Sequence, residues 1–476
     1  MKKTRISRIF LIIFTVILAL VASLSVAACD INNLFNFGKG DGNSATTPDN
    51  SGGGTGGNTE ETPGGSTGGN TEETPGGSTG GNTEETPGGS TGGNTEETPG
   101  GGTGGNTEQK PDTDIVAGDK SDIVSSKLSI HFLELGTGKT GDSILIKCGN
   151  TEVLIDAGAI QGSAATLKSY INQYCTDGKL EYVITTHADT DHIAAFIGNS
   201  SGGKYNGIMY SYEIGTIIKF SKTGINTAMY NNYLNAVEYA KGKGAEVYTA
   251  SQCYDETDGA KRQYFLDEEH TVSINILYNY YYYNLSGDEN NHSVVTLLTE
   301  EYDGGRRNYL FTGDLETDGE SKMVDYYRSV PEDHATEYNI LPEVELYKAG
   351  HHGSGTSSTL KLLDVIKPKY VTVCCCAGSP QYSKENIKTF PTQQMIDNVA
   401  KYTDKIFVTT LCTSVNEKDE NGNYKSQNHA DYTSLNGNIV FYSLEGEIKL
   451  YCSNNDTILK ETDWFKENRT WPSGSE

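Results

Sequence analysis

Residues 186–196 read THADTDHIAAF, which puts His187, Asp189, Asp191 and His192 within six residues, directly after the apolar run LEYVITT that begins at Leu180. Residues 180–186 alternate and end in β-branched types, the pattern of a buried strand. IAAFIG beyond His192 opens a helix, so the four polar side chains occupy a strand-to-helix loop. In an extended segment positions i and i+2 point the same way; His187 and Asp189 therefore pair, while the adjacent Asp191 and His192 diverge as the helix starts. One loop thus presents ligands to two neighbouring metal ions. Helix capping by Asp189 or Asp191 is the alternative, and it accounts for neither imidazole.

HADTDH resembles the HxHxDH signature of the metallo-β-lactamase fold, in the HxDxDH form typical of the extracellular hydrolase domain of ComEC-type DNA-uptake proteins. Four further blocks resemble that family in the same order: IHFLELGTGKTGDSILIKCGNTEVLIDAG (130–158), NNHSVVTLL (290–298), FTGDLETDGE (311–320) and LYKAGHHGSGTSS (346–358). The resemblance spans most of residues 128–445 and implies an α/β fold, the αβ/βα four-layer sandwich. It also implies site roles. Asp156, at the end of a strand, supports the metal loop from behind. Asp314 follows the strand RNYLFTG and is the carboxylate expected to bridge two cations, a turn-forming Gly-Asp being the alternative. One histidine of HHGS completes the site with Asp191, His192 and Asp314, since adjacent residues do not both reach one ion. His352 is the expected ligand. His351 is an outer contact to substrate or leaving group, and with Asp191 it is expected to carry the chemistry. Lys348 and Ser354 either help hold an anionic group or are structural.

The sequence departs from the family pattern in three places. Asp189 stands where the commonest signature has histidine, and no histidine lies between His192 and His270. The His187–Asp189 site is therefore oxygen-rich and thinly coordinated, which favours manganese, iron or magnesium over a pure zinc preference. Two divalent ions, zinc or manganese, are expected, one firmly bound and one exchangeable. Phe390-Pro391 stands where ComEC-type domains often carry His-Pro, a change at substrate contacts. With these ligands a water activated between two cations does the chemistry, and no side-chain nucleophile is required.

The rest of the chain divides around this domain. MKKTRISR is basic, LIIFTVILALVASLSV is apolar, and small residues lead to Cys29. That order reads as a secretory signal peptide over residues 1–28, and VAAC resembles a bacterial lipobox with Cys29 as the lipidated residue; an uncleaved anchor is the alternative. Either places the remainder at the extracellular face of the cytoplasmic membrane. Residues 29–111 contain five twelve-residue units, from GGGTGGNTEETP at 52–63 to GGGTGGNTEQKP ending at Pro111. Such a segment builds no core, and its glycines keep it flexible. It reads as a disordered tether with a root-mean-square reach of roughly 50 Å.

Residues 112–476 form the expected hydrolase domain. The chain carries 37 Lys+Arg and 63 Asp+Glu, of which residues 1–111 hold 6 and 12, leaving a formal charge of −20 on the domain. Tight binding to nucleic acid needs the opposite sign on the contact face. Any DNA would have to be held by the metals and a local basic patch. GTGKT at 136–140 lacks the P-loop glycine, position 133 being Leu133. Cys374 to Cys376, in YVTVCCCAG, read as buried thiols of a strand. The tyrosines of TVSINILYNYYYYN read as an aromatic-rich strand, stacking on a ligand being the alternative. The leading expectation is a surface-tethered metal-dependent phosphodiesterase or nuclease. The alternatives are a hydrolase of another ester (a cell-wall phosphodiester, a lactone or a β-lactam) and a non-catalytic binding module of the same fold. DNA is a possible polymer substrate, the membrane is reached through Cys29, and no protein partner is evident.

Overall fold

The computed structural model describes residues 116–331, 340–414, 417–428 and 431–473. The expected signal peptide, the expected lipidation residue Cys29 and the expected tether lie outside the described residues. Among those described, no helix is long and apolar enough to cross a membrane.

Two mixed sheets carry the domain. The first runs, in spatial order, Val116–Ala117, Glu447–Cys452, Ile439–Leu444, Leu128–Phe132, Ile144–Cys148, Thr151–Ile155, Lys179–Thr185, Glu213–Lys219 and Glu246–Thr249. Its last four strands are parallel, so each connection must cross over, and helices do so: Ser163–Ile171, Thr190–Ile197 and Ala228–Gly242. The second sheet runs Gln263–Phe265, Val272–Ile276, Thr296–Tyr302, Gly305–Phe311, Leu346–Lys348, Tyr370–Ala377, Ile406–Cys412 and Tyr432–Ser434. It too turns parallel part-way, from Gly305–Phe311 to Ile406–Cys412, with helices Thr317–Ser329, Leu360–Ile366 and Gln393–Val399 in the connections.

The sheets meet face to face. Phe132 of the first lies 6.3 Å from Phe311 of the second, and Phe441 lies 6.2 Å from Phe407 and 5.5 Å from Tyr370. One buried cluster joins this interface to Leu167, Phe196 and Val237 of the helices on the first sheet. Another packs Leu310, Val371 and Val408, on the opposite face of the second sheet, against Met323, Leu363 and Ile396 of its helices. Helix, sheet, sheet, helix is the αβ/βα four-layer sandwich.

Strand composition follows position. Tyr370–Ala377 is buried along its whole length, the near-continuous apolar run of a parallel strand covered on both faces, and its three cysteines are free thiols. The hairpin Ile439–Cys452 turns at Glu445 and Gly446, with φ of 53° and 82°. Two positive φ values make the turn whose twist suits a tight hairpin.

The tyrosine run departs from expectation. The strand ends at Ile276 and Tyr280–Tyr282 form a turn of 3-10 helix. Asn279 is the cause: its side-chain carbonyl accepts from Tyr281 N, while its amide donates to Asn291 O and Ser293 O. A buried amide satisfied by three backbone groups overrides the β preference of the tyrosines.

Candidate metal centre

The site lies where strand ends of the two sheets meet. Asp156 follows Thr151–Ile155, the 186–192 loop follows Lys179–Thr185, Asp314 follows Gly305–Phe311, and His351 and His352 follow Leu346–Lys348. All four segments leave the carboxyl ends of parallel strands, the edge at which open α/β sheets gather ligands. Asp156, His351 and His352 hold φ of 58°, 44° and 53°. Non-glycine residues in this region cost of order 1–3 kcal/mol each and persist where the surroundings over-determine them.

Backbone hydrogen bonds lock the loop in place. Asp142 N donates to Asp191 O (3.1 Å), Gly158 N to Asp142 O (2.8 Å), Ala157 N to His192 O (2.8 Å) and Ala195 N to Ala157 O (2.7 Å). A Cβ on Gly158 would stand 1.5 Å from Asp191 O, so only glycine permits this approach. Asp156 holds the side chains from behind. Its carboxylate accepts from Thr186 N (2.8 Å) and Thr186 Oγ1 (2.6 Å) and pairs with His192 Nδ1 at 2.8 Å.

On the other side of the His192 ring, Nε2 is 3.1 Å from Asp314 Oδ2 and 3.3 Å from His352 Nε2. His352 Nε2 is in turn 3.1 Å from Asp314 Oδ2 and 3.4 Å from Asp191 Oδ2. His192, Asp314 and His352 thus converge through one atom each, and Asp191 reaches them at His352 Nε2. Asp142 also belongs to a buried quartet with His192, Asp314 and His352, whose donor atoms all lie within 4.8 Å of one another. We place it behind the convergence. It meets His352 at Nδ1 (3.0 Å), on the far side of the ring from Nε2, and is ion-paired to buried Lys348.

The charges are set by this crowding. Burial disfavours charged imidazoles, yet Asp314 with Asp156 outweighs it at His192, and Asp314 with Asp142 at His352, holding both rings well above the usual histidine range. Burial likewise opposes ionised Asp314, but His192, His352 and Lys348 hold it well below the usual carboxylate range. The cluster attracts positive charge.

His187 is buried beside it, its ring centroid 4.1 Å from that of His192. Nδ1 lies 3.0 Å from Thr186 Oγ1 and 3.4 Å from Ser293 Oγ. Nε2 is buried without a hydrogen-bond partner, 3.6 Å from Asp189 Oδ2. Asp189 occupies the N-cap position but makes no capping hydrogen bond. An orphaned imidazole nitrogen facing a carboxylate, next to the converging nitrogen and oxygen donors of His192, Asp314 and His352, fits a divalent cation.

The remaining candidates fall outside the convergence. His351 turns to the rim, where Nδ1 pairs with Glu316 Oε1 at 3.0 Å; burial opposes ionisation of Glu316, but hydrogen bonds with His351, Asp288 and Thr356 and the His351 charge together hold it down at about 2. Lys348 is buried against Asp142 and Asp314, so its ammonium braces carboxylates and does not reach out to a substrate anion. Ser354 Oγ is engaged by Thr356 within its own turn. Glu320 is buried and accepts from Ser358 N and Thr359 N. Sequence reasoning missed Asp142, Ser293, Glu289 and Tyr382. Gly141-Asp142 repeats the Gly-Asp of Gly313-Asp314 and was the one available signal. Glu289 accepts from Ala188 N (3.3 Å) and Gly224 N (3.0 Å), a role no motif marks.

No family model matches the chain and no curated protein matches it. Among solved structures it is similar to the metallo-β-lactamase fold protein YhfI of Bacillus subtilis, at 10% identity over 59% of this chain and 95% of that one, TM-score 0.32. It is also similar to the metallo-β-lactamase SMB-1 bound to 2-mercaptoethanesulfonate, at 13% identity over 47% and 76%, TM-score 0.26. A third is a metallo-β-lactamase of Cronobacter sakazakii, at 18% identity over 39% and 60%, TM-score 0.22.

Proposed function

We propose that the chain is a metal-dependent hydrolase of phosphodiesters or related esters, tethered by lipidated Cys29 to the outer face of the membrane. The observation that carries the reading is the meeting of His192 Nε2, His352 Nε2 and Asp314 Oδ2 at 3.1–3.3 Å in a buried site. His187, Asp189, Asp191, His192, Asp314 and His352 would hold two divalent ions. Such ions, when bound, supply Lewis-acid polarisation of the ester and activation of water. Asp156 and Asp142 orient the two inner rings through Nδ1. Lys348 balances the carboxylates, and His351, at the rim beside Glu316, is placed to meet the leaving group.

The test is cleavage of linear single- and double-stranded DNA by the purified full chain supplied with manganese or zinc, beside Asp314→Asn. Cleavage that requires both metal and Asp314 establishes a nuclease. A second reading draws on charge: Asp189, Asp191 and Glu316 are partly exposed carboxylates at the site of a domain carrying a formal −20. That surface favours a small neutral or cationic ester over a polyanion. A neutral chromogenic ester or lactone assayed in parallel separates the two, and failure on every ester with metal bound would reject hydrolysis.

A further inference from the structure

The converging groups are not held alike. His192 is fixed from inside by Asp156 at 2.8 Å, His352 by Cys374 O and Asp142 at 3.0 Å, and Asp314 by Lys348 at 3.4 Å. These three side chains are at most 2% exposed, whereas that of Asp191 is 19% exposed. Its holding contact comes from outside: Tyr382 Oη donates to Asp191 Oδ2 at 2.6 Å. This is the same oxygen that faces His352 Nε2 at 3.4 Å.

Tyr382 is itself braced. Its ring stacks on Phe390 at 5.2 Å, and Phe390 lies 5.7 Å from the ring of His351 and 6.4 Å from that of His352. The neighbouring Gln381 accepts from Thr140 N at 3.1 Å, tying the loop to the segment that carries Asp142. Tyr382 is nonetheless 46% exposed as a residue, and its hydroxyl is engaged by Asp191.

We propose that Tyr382 is a positioning residue for the metal centre, its hydroxyl holding Asp191 in the orientation that presents Oδ2 to an ion shared with His192, Asp314 and His352. The proposal rests on the reading of this site as a metal centre. A partly exposed carboxylate is free to rotate into water, and a hydrogen bond from an anchored phenol removes that freedom before the ion arrives. Partners of this kind are worth 10- to 100-fold in metal affinity. Phenylalanine at 382 keeps the stack on Phe390 and deletes only the donor.

The experiment is competition for manganese and for zinc between a chromogenic chelator and the purified full chain, in wild type, Tyr382→Phe, Asp191→Asn and His192→Ala. Tyr382→Phe is expected to weaken one of the bound equivalents by roughly tenfold, with the melting temperature of the metal-free protein unchanged. Wild-type affinity in Tyr382→Phe, with Asp191→Asn weakened, overturns the positioning role alone. Wild-type affinity in Asp191→Asn removes Asp191 from the ligands and the proposal with it. A wild-type chain that binds neither metal overturns the proposed function itself.

Discussion

His192 and Asp314 meet at 3.1 Å, Nε2 to Oδ2, across 122 residues of sequence, one beyond a strand of the first sheet and the other beyond a strand of the second. The contact therefore exists only when the sandwich closes, and it couples the charge of the site to assembly of the fold.

Asp314→Asn keeps the shape of the side chain and removes its charge. Bound metal is expected to fall by at least one equivalent per chain, measured by elemental analysis after gel filtration, and hydrolysis should be lost with it. Stability of the metal-free protein should fall less than for a broken buried ion pair, because His192 and His352 can release protons and Lys348 keeps Asp142. The loss expected in urea denaturation is about 2 kcal/mol, the range of a hydrogen bond to a charged group. Unchanged metal content would reject Asp314 as a ligand.

Gly158→Ala tests the clasp on the metal loop. The added methyl would stand 1.5 Å from Asp191 O and 3.2 Å from Asp142 N, both backbone atoms that no rotamer change can move. The loop must shift, and with it the hydrogen bonds from Ala157 N and Ala195 N. Overpacking of this kind costs about 3 kcal/mol, and metal affinity should drop in the same variant. A melting temperature within a degree of wild type would show that the approach is looser than described.

How much of this was readable beforehand follows from the range of the interactions. The 186–192 loop, the strand before it and the helix after it are local, and apolar alternation with a polar loop declares them. The closing hairpin is local in the same sense, its Glu445-Gly446 turn lying between two apolar strands. Asp142 was marked only by its Gly-Asp pair, because its partners Lys348 and His352 lie more than 200 residues away. Tyr382 was invisible for the same reason, lying 191 residues from Asp191. The tyrosine run was misjudged because Asn279, one polar residue within it, decides the backbone. His351 and His352 could not be separated by spacing; the left-handed backbone at both residues sends one ring inward and the other to the rim.

Glu320 gives a pH dependence that does not pass through the metal site. Its carboxylate is buried and accepts from Ser358 N at 2.7 Å and Thr359 N at 2.8 Å, bracing the loop after His352. Burial raises its pKa to about 7, against the lowering effect of those hydrogen bonds. A carboxyl raised in the folded state takes up protons on folding between its unfolded value and about 7. Its contribution is therefore most favourable below the unfolded pKa and is lost as pH rises to about 7, a change of about 3 kcal/mol by linkage. Glu320→Gln cannot titrate, although its amide would set a donor against one of the two backbone N–H groups. Wild type should thus exceed Glu320→Gln clearly at pH 4.5 and draw towards it by pH 8, followed by urea denaturation of the metal-free protein. A difference between the two that stays constant with pH would show that Glu320 is ionised in the fold throughout that range.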